Sequence, residues 1–381
     1  MIALTASTLL TPVERIEQPI VLLEGNRIVD VHSRQSSTIP TGARVVDFGD
    51  AVIAPGLVDI HNHGGAGHDV MEADPAGLPA IERLLLSHGV TAYLPTTVTA
   101  PLAKTLEALQ RLADAIEAAG KAERAQPVGI HIEGPFLSHA RRGVHPPKDL
   151  LPPTVETFEK LWQAARGHIR LMTIAPELDG ATEVIKEAVR RGVTVSIGHS
   201  DAELKTARAA VDAGARHATH TFNAMRPFTH RDPGIIGEVL TDSRMTADII
   251  ADGVHTDPSV VRLFLQAKGP EGAVLITDST AATGMPAGHY KMGAFEFEVK
   301  DGKCMANGVL AGSVLTLDRA VRNVMQFAEW DLQRALRPAS MNPARVVGLD
   351  GRGVVKAGAI ADLVVLSPQG EVRTAIVGGL I

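Results

Sequence analysis

The stretch "LVDIHNHGG", residues 57–65, decides how the rest of the chain reads. The residues before it, "AVIAPG" (51–56), are apolar, so the run from Ala51 to Ile60 reads as one buried strand with His61 and His63 at its C-terminal end. Side chains alternate along a strand. His61 and His63 therefore project to one side and Asn62 to the other. Two neutral imidazoles side by side make half of a metal site, and their meaning depends on what else the chain supplies.

Outward from that strand, apolar runs alternate with helical patterns. "GVTAYLPTT" (89–97) precedes "PLAKTLEALQRLADAIEAA" (101–119), "PVGIHIEG" (127–134) precedes "PTVETFEKLWQAAR" (153–166), and "IRLMTIAPE" (169–177) precedes "GATEVIKEAVRRG" (180–192). The alternation continues through "VTVSIGHS" (193–200), "RHATHTFN" (216–223), "RMTADIIADGVH" (244–255) and "GAVLITDST" (272–280). Eight strand candidates, most followed by a helix, predict an α/β chain folded as a (β/α)8 TIM-like barrel over residues 54–349. An open doubly wound sheet is the alternative, but no glycine-rich dinucleotide fingerprint follows the first strand. Residues 1–53 and 350–381 are short apolar runs broken by turn signals and read as small antiparallel sheets. Residues 288–310 read as a hairpin-like insert after the eighth strand.

The 381 residues are 45% hydrophobic and 21% charged, which suits a globular protein rather than a disordered or fibrous one. A net charge of −6 and the lack of a Lys/Arg run give no footprint for nucleic acid or an anionic membrane, so the expected partner is a small molecule. One cysteine, Cys304, allows no intrachain disulfide and no thiolate cluster. With no signal-peptide pattern at the N-terminus and no membrane-length apolar run, the expected location is the cytoplasm.

Polar residues gather where each apolar run ends: His61 and His63 on the first, His131 and Glu133 on the third, His199 on the fifth, His220 on the sixth, His255 beyond the seventh and Asp278 on the eighth. Barrel enzymes carry their chemistry at that end of the strands. Imidazole nitrogen and carboxylate oxygen are what zinc and similar divalent cations accept. His61, His63 and Asp278 would hold one cation and His199 with His220 a second, with Glu133 as the bridge. Zinc is the first expectation, and iron or another divalent cation the alternative. Asp278 is also the candidate to take a proton from attacking water and return it to a leaving group. His88, His131, His168 and His217 are read as structural.

These motifs, "APGLVDIHNHGG" (54–65), "GIHIEGPFLS" (129–138), "IGHSDA" (197–202), "HTFNAM" (220–225), "IADGVH" (250–255), "ITDSTAATGM" (276–285) and "VKAGAIADLVVL" (355–366), resemble the amidohydrolase superfamily, and within it the N-acetylglucosamine-6-phosphate deacetylases. The resemblance runs in order through nearly the whole chain. It implies a barrel with a small β-sandwich built from both termini. It also implies hydrolysis of the acetamide of N-acetylglucosamine 6-phosphate, or of a galacto or manno epimer, to acetate and the amine. Glu133, His199 and His220 match metal ligands, and Asp278 the catalytic acid/base. His145 matches a substrate-contacting histidine, although Pro146 stands where the family usually has asparagine. Asn223, Ala224 and His255 match residues around sugar and phosphate, and Arg231 an arginine lent to the neighbouring subunit's phosphate, which implies a homodimer. Members with Gln-x-Asn in place of His61 and His63 bind one metal, so this chain has the ligands for one or two. A cyclic-amide hydrolase would carry a modified lysine on the fourth strand, and "IRLMTIAPE" has none. In "LAGSVLTLD" (310–318), either the loop closes on the sugar or Ser313 caps a helix.

Overall fold

The computed structural model describes residues 1–72, 76–120, 122–293 and 295–381. Eight parallel strands carry the motifs: β1 (Leu57–Asn62), β2 (Val90–Thr97), β3 (Ile130–Glu133), β4 (Ile169–Ile174), β5 (Thr194–Ile197), β6 (His217–Ala218), β7 (Ala247–Ile250) and β8 (Ala273–Ile276). β1 to β6 pair in chain order in one sheet, and β7 pairs with β8 in another. Backbone bonds join the two. Ala218 N–H donates to the Thr246 carbonyl (3.1 Å) and Thr221 N–H to that of Asp248 (2.9 Å). At the opposite edge Asp278 N–H donates to the His61 carbonyl (3.0 Å) and His63 N–H to that of Ser279 (2.9 Å). The parallel sheet thus curls until the end of β8 lies against the end of β1.

Helices α1 (Gly77–Ser87), α2 (Leu102–Glu117), α3 (Val155–Ala164), α4 (Ala181–Arg190), α5 (Leu204–Ala213), α6 (Gly234–Thr241), α7 (Pro258–Gly272) and α8 (Leu317–Ala328) follow the strands in turn. In α4 the buried residues Ala181, Val184, Ile185 and Ala188 fall at helical spacing, which lays one apolar stripe on the sheet. The strands are buried along their length, as a sheet covered on both faces must be.

Beneath the strand ends lies a polar layer. His131 Nε2 meets Thr173 Oγ1 at 2.8 Å, Thr173 meets Thr219 at 2.8 Å, and Ser196 meets Thr219 at 2.5 Å. His217 is held by Thr246 (2.7 Å) and by Asp248 (3.0 Å), whose other oxygen accepts the His220 N–H. Fully bonded buried groups of this kind rigidify what they support.

The chain ends form two further sheets. Ile2–Thr5, Pro19–Glu24, Arg27–Ser33 and Arg44–Asp47 make one, and Thr8–Leu10, Arg15–Glu17, Val52–Pro55, Leu363–Leu366 and Val372–Ile376 the other. Leu4, Val21, Leu23 and Ile28 from the first cluster with Ile53, Leu363 and Ile376 from the second. These sheets depart from the sequence expectation in two ways. They are not purely antiparallel, since Ile2–Thr5 runs parallel to Arg44–Asp47 and Thr8–Leu10 to Val52–Pro55. The apolar run 51–60 is also two strands, not one: Val52–Pro55 joins the small sheet and Leu57–Asn62 the large one. Pro55 has no N–H to continue a ladder, and a Cβ on Gly56 would lie 2.2 Å from Thr91 Oγ1, so the chain crosses β2 where only glycine fits. The insert after β8 is an antiparallel sheet of Gly288–Met292, Phe295–Lys300, Lys303–Ala306 and Val309–Leu310.

Candidate metal centre and active-site cavity

The curl of the sheet brings His61, His63, Glu133, His199, His220 and Asp278 to one point, where all but the fully buried His61 line the floor of a cavity of about 360 Å³. Glu133 sits at the centre with its two oxygens facing different partners. Oε1 lies 3.2 Å from His199 Nε2 and 3.0 Å from His220 Nε2. Oε2 lies 3.5 Å from His61 Nε2, 3.3 Å from His63 Nε2 and 3.6 Å from His145 Nε2. Asp278 Oδ1 reaches the first pair only, 3.2 Å from His63 and 3.5 Å from His61. Within each pair the Nε2 atoms stand 3.1 Å apart.

Tautomers follow from what lies behind each ring. His63 Nδ1 faces the Thr96 carbonyl (3.0 Å), His199 Nδ1 the Arg141 carbonyl (2.9 Å), and His220 Nδ1 the Asn223 carbonyl (3.2 Å). A carbonyl only accepts, so each Nδ1 carries a proton, and once the ring is neutral each Nε2 presents a lone pair, the form in which histidine ligates a metal. Two lone pairs 3.1 Å apart repel unless a proton or a cation lies between them. His61 Nδ1 is buried and has no partner among the described residues. His145 is the reverse case. Its Nδ1 accepts the Thr99 N–H at 3.2 Å, so its neutral ring carries the proton on Nε2 as a donor into the cavity.

The charges agree with a cation site. Burial alone would raise the Glu133 carboxyl, but His61 and the bonds from His145, His199 and His220 hold it well below the usual range. Asp278, also buried, is held down to about 2 by His61 and His63. Burial disfavours charge on the rings. The Asp278 and Glu133 carboxylates nevertheless raise His63 to about 10, Glu133 raises His220 to about 9, and His199 is left at about 4. The site therefore gathers positive charge around two carboxylates in the form of protons, which a divalent cation displaces. His61, His63 and Glu133, and separately Glu133, His145 and His199, are close enough to hold an ion.

The backbone is strained at the same place. His199 (φ 47°), His220 (φ 30°), Ala224 (φ 50°) and Asp278 (φ 49°) all take the left-handed conformation, a pattern that clusters at functional sites. Gly312 (φ 61°) lies so close that a Cβ there would be 2.9 Å from the Asp278 carbonyl.

Of the residues expected at the substrate, His145, Asn223, Ala224 and His255 line the cavity. Asn223 Nδ2 is buried without a partner among the described residues, and Asp252 holds His255 Nδ1 at 2.7 Å. Arg231 is exposed and stands apart from the cavity lining. Ser313 is not a helix cap: its hydroxyl donates to the Thr277 carbonyl (2.6 Å) and accepts from Leu315 N–H (2.9 Å), while Thr316 takes the cap position of α8. The four histidines read as structural all have such partners, His88 with Asp318 (3.1 Å) and His168 with Glu117 (3.1 Å) among them. Val98, Arg141, Met292 and Val309 also line the cavity and were not singled out in the sequence. Arg141 opens the stretch "RRGVH" (141–145) that ends in His145, but nothing local marks Met292 or Val309.

Residues 52–381 match the amidohydrolase family. The chain is 37% identical over 371 residues to an N-acetylglucosamine-6-phosphate deacetylase of Bos taurus, covering 94% of this chain and 90% of that protein. It is also 37% identical over 329 residues to an N-acetylgalactosamine-6-phosphate deacetylase of Escherichia coli O157:H7, covering 86% of each. A solved structure of the N-acetyl-D-glucosamine-6-phosphate deacetylase of Mycobacterium smegmatis, a variant in complex with N-acetyl-D-glucosamine-6-phosphate, superposes with a TM-score of 0.93 at 36% identity, covering 99% of this chain and 98% of that one. The clustered imidazoles and carboxylates at the strand ends and the match over nearly the whole chain lead to one conclusion: the chain belongs to the amidohydrolase family.

Proposed function

We propose that the protein hydrolyses the acetamide of N-acetyl-D-glucosamine 6-phosphate to D-glucosamine 6-phosphate and acetate. The observation that carries the reading is Glu133, whose two oxygens face two separate histidine pairs beside Asp278 at the floor of a ligand-sized cavity. The supporting frame is a closed (β/α)8 barrel within residues 54–349, consistent with the bonds that join β6 to β7 and β8 to β1, with residues 1–53 and 350–381 as a small β-sandwich whose strand Val52–Pro55 runs two residues past that boundary.

His61, His63 and Asp278 would hold one divalent cation and His199 with His220 the other, Glu133 bridging them. Zinc suits this nitrogen and oxygen set, and such cations supply Lewis acidity and lower the pKa of water. His145 donates its Nε2–H to the carbonyl oxygen as negative charge develops there. Asp278 takes the proton of the attacking water and returns it to the departing nitrogen. Asn223 and Ala224 bind the sugar phosphate with His255, and Arg231 reaches the phosphate of a second subunit in a homodimer. Those remote contacts position the amide.

The E. coli relative named for the galacto sugar makes the epimer a real alternative. Acetate release measured over N-acetylglucosamine, N-acetylgalactosamine and N-acetylmannosamine 6-phosphates and their unphosphorylated forms, alongside metal analysis, tests both. Turnover greatest on the gluco 6-phosphate is expected. A preference for an unphosphorylated or cyclic amide would overturn the reading.

A further inference from the structure

Asp69 is nearly buried, 9% exposed, and lies outside the ion cluster. It belongs to the two-residue strand His68–Asp69, which folds back on Gly64–Gly65 directly after His63. Its Oδ1 accepts the Met71 N–H (2.7 Å), a local bond. Its Oδ2 accepts the Gly293 N–H (2.5 Å) from the first turn of the insert, 224 residues away in sequence. Met71 extends the link: its Sδ accepts the Val98 N–H at 3.2 Å, and Arg111 holds its carbonyl. Gly293 is seated against the same Val98. At φ 54° it takes a conformation that suits glycine, and a Cβ there would lie 2.8 Å from Val98 Cγ2.

The neighbour of Gly293 gives this bond its significance. Met292 is 3% exposed and, with Val98, Val309 and Leu310, makes the apolar side of the cavity. Phe297, Val299, Cys304 and Ala306 anchor the body of the insert in the main core, so its rear is held by packing. The front turn is held by a buried carboxylate. Burying that charge is costly, and charge-assisted bonds to backbone N–H are what offset it.

We infer that Asp69 is a positioning residue that latches the insert 288–310 over the active site, so that Met292 stays in place as a wall of the substrate cavity. This rests on the deacetylase reading for its kinetic consequence, though the latch itself does not. The segment 61–69 then does two jobs: it carries His61 and His63, and it fixes the wall that faces them.

The test is a double-mutant cycle of Asp69→Ala and Met292→Ala, with Asp69→Asn as the conservative variant, read on N-acetylglucosamine 6-phosphate. Asp69→Ala should raise KM about fivefold or more while kcat changes less than about threefold, since lost wall contacts weaken binding rather than chemistry. Asp69→Asn, which keeps one acceptor oxygen, should fall between. With Met292 already removed, Asp69→Ala should add little, because residues that act through one another are not additive. Additive effects, or a loss carried wholly by kcat, would overturn the proposal. Hydrogen exchange gives a readout independent of substrate. In wild type the Gly293 amide and its neighbours in 288–292 and 295–300 should be protected, and Asp69→Asn should accelerate their exchange while leaving α4 unchanged. Fast exchange of that turn in wild type overturns the latch whatever the substrate. Failure to hydrolyse any amino-sugar 6-phosphate overturns the deacetylase reading alone.

Discussion

Replacing Asp278 by asparagine separates proton transfer from metal holding. The backbone there is left-handed (φ 49°), a conformation asparagine tolerates, so the bonds from Asp278 N–H to the His61 carbonyl (3.0 Å) and from Ser313 N–H to the Asp278 carbonyl (2.7 Å) survive. An oxygen also survives in the position that now lies 3.2 Å from His63 and 3.5 Å from His61. The charge and the basicity are lost. In wild type the carboxyl is held down to about 2 by His61 and His63, so it is ionised throughout the neutral range. Loss of a general acid/base typically lowers rate about 10² to 10⁴-fold, or about 3 to 5 kcal/mol of barrier. We expect kcat to fall by that amount with KM changed less than about threefold, because the group acts in the transition state and not in substrate binding. Four imidazoles and Glu133 are untouched, so metal content should hold. The assay is acetate release at saturating metal, with metal analysis on the same samples. A variant turning over within about threefold of wild type would refute the proton-carrier role. Activity lost in proportion to metal would make Asp278 a ligand only.

Three further outcomes are expected. His61→Ala or His63→Ala should lower metal content by at most about one equivalent, while His199→Ala empties the other position, and equal stoichiometry in every variant would count against two ions bridged by Glu133. In metal-free protein the ion cluster should contribute most to stability near pH 6. His63 at about 10 and His220 at about 9 contribute stability that is complete below the unfolded histidine pKa and lost as pH rises through 9 to 10, whereas His199 at about 4 disfavours the fold below 6.5, and Asp278 at about 2 adds a loss as pH falls below 4. Thermal unfolding across pH, with and without chelator, checks this, and the alkaline loss should shrink in metal-loaded protein. Co-expressing Arg231→Ala with Asp278→Asn should restore about a quarter of wild-type activity, since half of freely assorted dimers are mixed and each has one intact site if Arg231 crosses the interface. Mixed dimers without recovery would reject the shared site and leave Arg231 as a surface charge.

Strand and helix periodicities are local, so the positions of the chemistry along the chain are legible without the fold. A run such as "VTVSIGHS" shows its apolar strand and its terminal His199 without knowledge of any other segment. The same holds for His61 and His63, whose shared side follows from the two-residue period, and for the alternation in 288–310 that marks the insert as antiparallel. The break at Gly56 escaped that kind of reading. Val52–Pro55 and Leu57–Asn62 are equally buried, and it is Pro55's missing N–H and the crowding of Thr91 against Gly56 that divide them between different sheets. Ser313 escaped it too, since a hydroxyl ahead of a helix looks like a cap until the Thr277 carbonyl is found beside it. Tertiary structure alone decided how Glu133 divides its oxygens, which way the His145 proton points, and that Asp69 grips a turn 224 residues distant. Each of these depends on the curl of the sheet and the docking of the insert, non-local pairings whose distances no spacing along the chain encodes.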